Sequence, residues 1–206
     1  MKQVTGCILI GGKSSRMGGG IKCLKKFNNC SIIERIIQRS KSQVSNLTIN
    51  CNSDDKIINK LKLPIFSDII KGYLGPLAGI HAALKWVKSN NSNHEWVVTF
   101  AGDTPFFPLN LVDKLYNSAL NNNKKIIFAN SFGRNHPIFS IWHISLEEDL
   151  KYAIEKEKIR KIELWARRHE FNVINFDEYK YDPFFNINKY DDLIEAEKIE
   201  NYFFKK

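Results

Sequence analysis

The sequence predicts a single-domain α/β protein in which helices cover both faces of a mostly parallel central sheet. Short runs rich in β-branched and aromatic residues alternate along the chain with amphipathic segments of helical spacing. This alternation is typical of a parallel sheet. The length of 206 residues suits one domain with a sizeable core, and no internal repeat or linker divides the chain. These observations predict a three-layer α/β/α architecture.

The strands are predicted from short apolar runs. The first run, VTGCILI at residues 4–10, is almost continuously apolar, as expected of a central parallel strand that is buried on both faces. Further strands are predicted, in chain order, at residues 47–51, 64–66, 96–101, 126–129, 138–142 and, as an edge strand, 171–176.

The helices are predicted from apolar spacing and from residues that favour a helix start. Isoleucines recur at helical spacing after Ser31, and Ser31 with Glu34 forms a capping box. Pro76 and Pro108 are expected in first helical turns, because a helix tolerates proline there. The predicted helices lie at residues 31–44, 54–61, 76–87, 108–120, 145–156 with an irregular continuation to 168, and 189–203.

The net charge of +9 admits anionic partners such as nucleotides, phosphorylated substrates or nucleic acid. The lysines are scattered, and no basic block is interleaved with aromatic residues, so nucleic acid is not expected as a partner. A basic RNA-binding module remains the alternative of a different class, and it would bind RNA with strong salt dependence.

The four cysteines and the hydrophobic runs indicate a cytoplasmic location. Cys7, Cys23, Cys30 and Cys51 form no C-x-x-C pair, so neither zinc binding nor a disulfide framework is expected. Free thiols fit the reducing cytosol. No apolar run approaches the roughly 18 residues of a membrane span, so we expect no membrane partner.

The segment most informative about function follows the first strand and reads LIGGKSSRMGGGIK over residues 9–22. Ligands bind at this end of a strand in open α/β sheets. Five glycines within residues 11–20 let the backbone approach a ligand closely, while Arg16 and Lys22 supply the positive charge that a triphosphate requires. A Walker A loop would need glycine in place of Cys7, and the dinucleotide fingerprint also fails. The segment predicts a polyphosphate site, with a flexible glycine turn as the alternative.

A second candidate group is the carboxylate of Asp103, which follows Gly102 at the end of a predicted buried strand. Its position faces the same crevice as the glycine-rich segment. Phosphoryl chemistry needs a metal to neutralise charge, and Mg²⁺ prefers one or two carboxylates plus phosphate oxygens. We therefore predict Asp103 as a metal ligand, with capping of the turn before Pro108 as its alternative role.

The pattern L-x-G-G-x-x-x-R-M-G-x-x-x-K after an N-terminal strand resembles the signature of nucleotidyltransferases with a Rossmann-like fold. The pair Gly11-Gly12 resembles the form found in the molybdenum cofactor guanylyltransferase (MobA) family. Matches continue in the same order over nearly the whole chain, at Asn50, Asp68, residues 75–79 (GPLAG), Asp103-Thr104-Pro105, His136-Pro137 and residues 185–188 (FNIN).

The resemblance implies an enzyme that transfers GMP from GTP to molybdopterin or Mo-molybdopterin, with Mg²⁺ as cofactor and pyrophosphate as the second product. It implies a nucleotide-binding half over residues 1–105 and an acceptor-binding half over residues 106–206, with transient contacts to other molybdenum-cofactor assembly proteins and to recipient enzymes. Transfer of CMP to molybdopterin, or of another nucleotide to a small phosphorylated acceptor, remains the alternative.

The site residues that the resemblance and the residue patterns together indicate fall into three groups. The catalytic candidates are Arg16, Lys22 and Asp103. The GTP-binding candidates are Leu9, Ile10, Gly11, Gly12, Lys22, Asn50, Asp68 and Asp103. The acceptor-binding candidates are His136, Asn186 and Asn188, and both asparagines share one face if that segment is extended.

Overall fold

The structure is a computed structural model that describes residues 3–11, 21–72, 74–91 and 93–204. Its strands are β1 (Val4–Ile10), β2 (Lys26–Phe27), β3 (Cys30–Ser31), β4 (Asn46–Cys51), β5 (Ile65–Phe66), β6 (Trp96–Ala101), β7 (Ile126–Ser131), β8 (Arg134–His143) and β9 (Asn172–Asn175). Its helices are α1 (Ile32–Lys41), α2 (Lys56–Asn59), α3 (Pro76–Asn90), α4 (Leu111–Asn121), α5 (Glu147–Glu155), α6 (Ile162–Ala166) and α7 (Tyr190–Phe203).

Seven strands form one continuous sheet in the order β5-β4-β1-β6-β8-β7-β9. All neighbouring pairs are parallel except those made by β8, which runs antiparallel to both β6 and β7. The sheet therefore confirms the mostly parallel arrangement expected from the sequence. Strand β8 is reversed because it follows β7 through a tight turn, in which Phe132 and Gly133 have φ values of 48° and 74°.

Helices cover both faces of this sheet, which confirms the three-layer architecture. On one face, α1, α4 and α7 share a core with side chains such as Ile8 of β1 and Phe100 of β6. On the other face, α3, α5 and α6 share a core with Cys7 and Leu9 of β1 and with Val97 of β6. Residues of β1 thus alternate between two cores, which explains why nearly all of them are apolar.

The change in connection direction places a crevice at the centre of the sheet. Strand β1 pairs with β4 on one side and with β6 on the other. The carboxyl ends of β1 and β6 therefore lie side by side at the point where the connections diverge, and ligands of open α/β sheets bind at such points. The backbone N–H of Gly102 donates to the carbonyl of Leu9 at 3.0 Å and holds these two ends together.

Several helix bounds differ from the sequence prediction, for example the ends of α1 (Lys41 rather than residue 44) and α3 (Asn90 rather than residue 87). Two of the differences have a visible cause. Helix α4 begins at Leu111 rather than at Pro108, because the side chain of Gln43 accepts a hydrogen bond from the N–H of Val112 and donates one to the carbonyl of Pro108. No continuous helix runs towards residue 168, because Lys158 adopts a φ of 57° after α5 and the guanidinium of Arg160 donates to the carbonyl of Ile154. The chain resumes as the separate helix α6.

Two further features were placed differently or missed. The sequence prediction put His136-Pro137 before a strand that starts at residue 138, whereas both residues lie within β8. The short hairpin of β2 and β3 was not predicted. Its turn contains Asn28 and Asn29 with φ values of 45° and 63°. The hairpin leads directly into α1, whose predicted capping box is confirmed by the bonds between Ser31 and Glu34.

All four cysteines are free thiols. No helix within the described ranges has both the length and the apolar character needed to cross a bilayer.

Candidate functional site

A cavity of about 470 Å³ opens at the carboxyl ends of β1, β4 and β6. Seven of the eight residues expected to bind GTP line it, namely Leu9, Ile10, Gly11, Lys22, Asn50, Asp68 and Asp103. The eighth, Gly12, lies outside the described residues, as does the catalytic candidate Arg16. The structure thus brings together side chains that are up to 94 positions apart in the sequence, from Leu9 to Asp103.

The amino end of α3 forms one wall of this cavity through Gly75, Pro76 and Gly79. At Gly79 the helix passes so close to β4 that an added Cβ would lie 2.6 Å from Oδ1 of Asn50. Only glycine therefore lets α3 and the Asn50 side chain occupy their present positions. The backbone N–H groups at the start of a helix also carry partial positive charge, which suits an anionic ligand.

At the centre of the site, one ammonium group joins two oxygen atoms. Lys22 donates from Nζ to Oδ2 of Asp103 at 2.5 Å and to Oδ1 of Asn188 at 2.7 Å. The side chains of Lys22 and Asp103 are largely shielded, with 18% and 22% of their surfaces exposed. Three candidates therefore meet at a single point: the catalytic candidate Lys22, the predicted metal ligand Asp103 and the acceptor-side candidate Asn188.

Thr104 connects this cluster to Asn186. Its fully buried hydroxyl lies 3.0 Å from Oδ1 of Asp103 and 2.5 Å from Oδ1 of Asn186. The N–H of Ile187 donates to the carbonyl of Asp103 at 2.9 Å. The segment before α7 is thereby fixed against the end of β6. Both asparagines of this segment are thus linked to Asp103, Asn188 through Lys22 and Asn186 through Thr104.

The donor atoms at this centre fit a magnesium ion. Within the described ranges, no group of three or more histidine, cysteine, aspartate or glutamate side chains is placed to hold a metal. Magnesium does not need such a cage, since it is usually bound by one or two protein oxygens together with water and substrate phosphates. The positively charged ammonium of Lys22 contacts both Asp103 Oδ2 and Asn188 Oδ1. These two oxygens therefore converge on a position that suits a cation.

A second polar cluster surrounds Asp68 on another wall of the cavity. Asn50 donates from Nδ2 to Oδ1 of Asp68 at 3.0 Å, and Asn52 donates from Nδ2 to Oδ2 at 2.8 Å. The backbone N–H of Asp68 donates in turn to Oδ1 of Asn52 at 2.8 Å. The carboxylate is therefore held by two amides that project from the end of β4.

His136 does not line the cavity, although Ile138 of the same strand does. Its Nε2 lies 2.8 Å from the hydroxyl of Ser131, and that hydroxyl donates to Oδ1 of Asp182 at 2.9 Å. Because the hydroxyl has one hydrogen, Nε2 of His136 must be the donor to Ser131. The ring also stacks on Phe184, and burial lowers its pKa to about 4, so the histidine is neutral near pH 7.

Sequence reasoning missed two polar residues of the site, Asn52 and Thr104. Asn52 could have been found from strand periodicity, since it lies two residues after Asn50 and so points to the same side. Thr104 belongs to the matched pattern Asp103-Thr104-Pro105, but it was given no role in the site, because a threonine beside an aspartate is common in turns. Cys23 also lines the cavity, but burial raises the pKa of its thiol to about 12, so it carries no reactive thiolate.

The chain is similar to known proteins over nearly its full length. The model of the MobA-like NTP transferase domain matches residues 6–170. The molybdenum cofactor guanylyltransferase of Nitrobacter hamburgensis is 36% identical over 194 residues, which cover 94% of this chain and 93% of that protein. The molybdenum cofactor guanylyltransferase of Yersinia pestis is 38% identical over 187 residues, which cover 90% and 91%.

Solved structures agree with this similarity. The crystal structure of molybdopterin-guanine dinucleotide biosynthesis protein A from Archaeoglobus fulgidus superposes with a TM-score of 0.74 at 26% identity, covering 96% of this chain and 98% of that one. A 4-diphosphocytidyl-2C-methyl-D-erythritol synthase from Anaerococcus prevotii has a TM-score of 0.71 at 13% identity, covering 97% and 96%, and shares the fold alone.

Proposed function

Because the chain belongs to the MobA-like NTP transferase family, we propose that it transfers GMP from GTP to molybdopterin or Mo-molybdopterin and releases pyrophosphate. The observation that carries the proposal is the meeting of Lys22, Asp103 and Asn188 at the cavity between β1 and β6. The guanylyltransferases of Nitrobacter hamburgensis and Yersinia pestis, similar along almost the whole chain, support GTP and molybdopterin as the substrates.

In the proposed reaction, an oxygen of the terminal phosphate of molybdopterin attacks the α-phosphorus of GTP. The new P–O bond forms as the bond to the α–β bridging oxygen breaks, and the electron pair leaves with pyrophosphate. The attacking phosphate is already ionised, so no protein nucleophile or strong base is needed. This fits a cavity whose cysteine is a protonated thiol. Catalysis then depends on positioning the two substrates and on stabilising negative charge.

Lys22 and Arg16 are the cations assigned to this charge stabilisation, with Arg16 in the glycine-rich segment outside the described residues. Lys22 releases Asp103 and turns to the phosphates when the nucleotide enters. Asp103, with Asn188 beside it, would hold Mg²⁺, and the ion would supply positive charge that offsets the charge of the phosphate oxygens. Leu9, Ile10, Gly11, Gly12, Asn50 and Asp68 complete the nucleotide site.

The acceptor is assigned to residues 106–206 and the nucleotide to residues 1–105. Asn186 and Asn188 are the acceptor-binding candidates near Asp103, whereas the third candidate, His136, lies in the same half of the chain but does not line the cavity. The link from Asn186 through Thr104 to Asp103 supports this assignment, because it joins the acceptor side to the metal ligand. We place the reaction in the cytoplasm, where free thiols persist, with transient contacts to other molybdenum-cofactor assembly proteins and to recipient enzymes.

The test incubates the purified protein with Mg²⁺, molybdopterin and one of GTP, CTP, ATP or UTP, and measures pyrophosphate release. We expect release with GTP, much less with the other three nucleotides, and none when molybdopterin is omitted. Faster release with CTP would reassign the base. Absence of release with every nucleotide, together with salt-sensitive RNA binding, would replace the enzyme with an RNA-binding module.

A further inference from the structure

Asn52 has no role in the reaction described above, yet it stands at the nucleotide cavity with a fixed geometry. It follows β4 directly, and its amide reaches the same carboxylate, that of Asp68, as the amide of Asn50 does. Strand β5 is the parallel neighbour of β4, with Asn50 paired to Phe66. This register brings Asp68, two residues after β5, within reach of both asparagines.

Both polar atoms of the Asn52 amide are used on Asp68. Nδ2 of Asn52 donates to the carboxylate at 2.8 Å, and Oδ1 accepts the backbone N–H of Asp68 at 2.8 Å. This closed pair of bonds fixes the carboxylate relative to its own backbone. Asn50 holds the other carboxylate oxygen at 3.0 Å. Each oxygen of Asp68 therefore accepts one amide hydrogen and has acceptor capacity left for a ligand.

This arrangement prepares Asp68 for binding. A partly exposed aspartate side chain samples several rotamers, and fixing one of them on binding costs conformational entropy. The two hydrogen bonds of Asn52 hold Asp68 in one rotamer before the ligand binds, so binding does not have to order this side chain. Asn52 is itself exposed, so it contributes little to the core, and its geometry serves the cavity that it lines.

We propose that Asn52 is a positioning residue for nucleoside recognition, which holds Asp68 so that its carboxylate meets two adjacent donor groups of the nucleotide. This inference rests on the proposed function, because it requires GTP in this cavity. GTP carries two such donor pairs, the N1–H and 2-amino groups of guanine and the 2′ and 3′ hydroxyls of ribose. A carboxylate with one free acceptor site on each oxygen matches either pair.

The test compares Asn52→Ala with the wild type and with Asn46→Ala. Asn46 is an exposed asparagine at the other end of β4, so it controls for loss of an amide from this strand. Calorimetry with GTP and Mg²⁺ should show about tenfold weaker binding for Asn52→Ala, as for loss of a hydrogen bond to a charged group. Asn46→Ala should bind as the wild type does. In turnover, KM for GTP should rise far more than kcat falls, and the Tm of Asn52→Ala should stay close to that of the wild type.

Two analogues identify which donors Asp68 meets. ITP lacks the 2-amino group, and 2′-deoxyGTP lacks one ribose hydroxyl. The penalty caused by Asn52→Ala should shrink for the analogue that lacks a donor of the recognised pair. A smaller penalty with ITP assigns Asp68 to the base, and a smaller penalty with 2′-deoxyGTP assigns it to the ribose. An equal penalty for GTP and both analogues would overturn the inference.

A double-mutant cycle separates positioning from a general effect on folding. If Asn52 acts through Asp68, Asn52→Ala should cause no further loss of affinity in an Asp68→Asn background. Fully additive losses would contradict the inference. Failure of the two proposals is distinguishable, because a wild type that binds no GTP defeats both. If the wild type binds GTP but no more tightly than Asn52→Ala, only the inference about Asn52 fails.

Discussion

Lys22, Asp103 and Asn188 come from three distant parts of the chain and meet within hydrogen-bonding distance. The sequence predicted each of them separately, Lys22 from the glycine-rich segment, Asp103 from its place after a buried strand, and Asn188 from a family pattern. It could not predict their contact, because side chains this far apart in sequence meet only through the packing of whole elements. It could not predict the hydrogen bonds of Asn52 to Asp68 for the same reason.

Loss of either charged group at this centre should reduce turnover strongly. We expect Asp103→Asn or Lys22→Ala to lower turnover by at least about a hundredfold, as when a preorganised electrostatic group is removed from a transition state. Pyrophosphate release from GTP and molybdopterin is the measurement. Lys26→Ala removes the same charge from an exposed position on β2 and should retain activity. Normal turnover of both site variants would refute the assignments.

At the scale of elements, the sequence was most informative where one physical signal dominated. The bounds of β1 and β6 were predicted correctly, because strands buried on both faces are almost wholly apolar. The start of α4 was misplaced because Gln43, more than sixty residues earlier, caps it. The hairpin of β2 and β3 was missed because strands of two residues are too short to show a periodic pattern.

The close approach of α3 to β4 gives a prediction for Gly79→Ala. Alanine normally stabilises a helix interior relative to glycine by roughly 0.5–1 kcal/mol. Here the new methyl group would lie 2.6 Å from Oδ1 of Asn50, so that side chain or the helix must move. We expect a net loss of about 1–3 kcal/mol of unfolding free energy, as for other overpacked sites. GTP binding should weaken as well, because Asn50 holds Asp68.

Denaturant unfolding and calorimetry with GTP test this prediction. Ser89→Ala, an exposed position near the far end of α3, serves as the control for a substitution by alanine in the same helix. A Gly79→Ala protein that is more stable than the wild type and binds GTP equally well would show that α3 can move away from β4 without cost.

Over the whole molecule, burial lowers the pKa of four histidines, His81, His94, His136 and His143. Each is neutral in the folded state at a pH where the unfolded chain already binds a proton. The unfolded state therefore gains protons first as the pH falls below the ordinary histidine value of 6.5. The fold should lose stability progressively on acidification through this range.

His136→Gln tests the largest part of this effect. Glutamine keeps a donor for Ser131 but does not titrate, so the variant should lose less stability than the wild type between pH 6.5 and about 4, the pKa of His136 in the fold. Thermal unfolding at closely spaced pH values measures the difference. Above pH 6.5 the two proteins should depend on pH in the same way. Parallel curves below pH 6.5 would mean that the pKa of His136 is the same in the folded and unfolded states.

The antiparallel direction of β8 affects where the chain can accept insertions beside the cavity. A parallel strand delivers its last residues to the reactive edge of the sheet, whereas the antiparallel β8 delivers residues of its first half, which is why Ile138 reaches the cavity. The turn at Phe132 and Gly133 projects from that same edge, and Phe132 is 61% exposed. Residues inserted at this tip would lengthen one rim of the cleft without disturbing the cores beneath, so acceptor choice could change through a surface loop while the phosphate chemistry stayed intact.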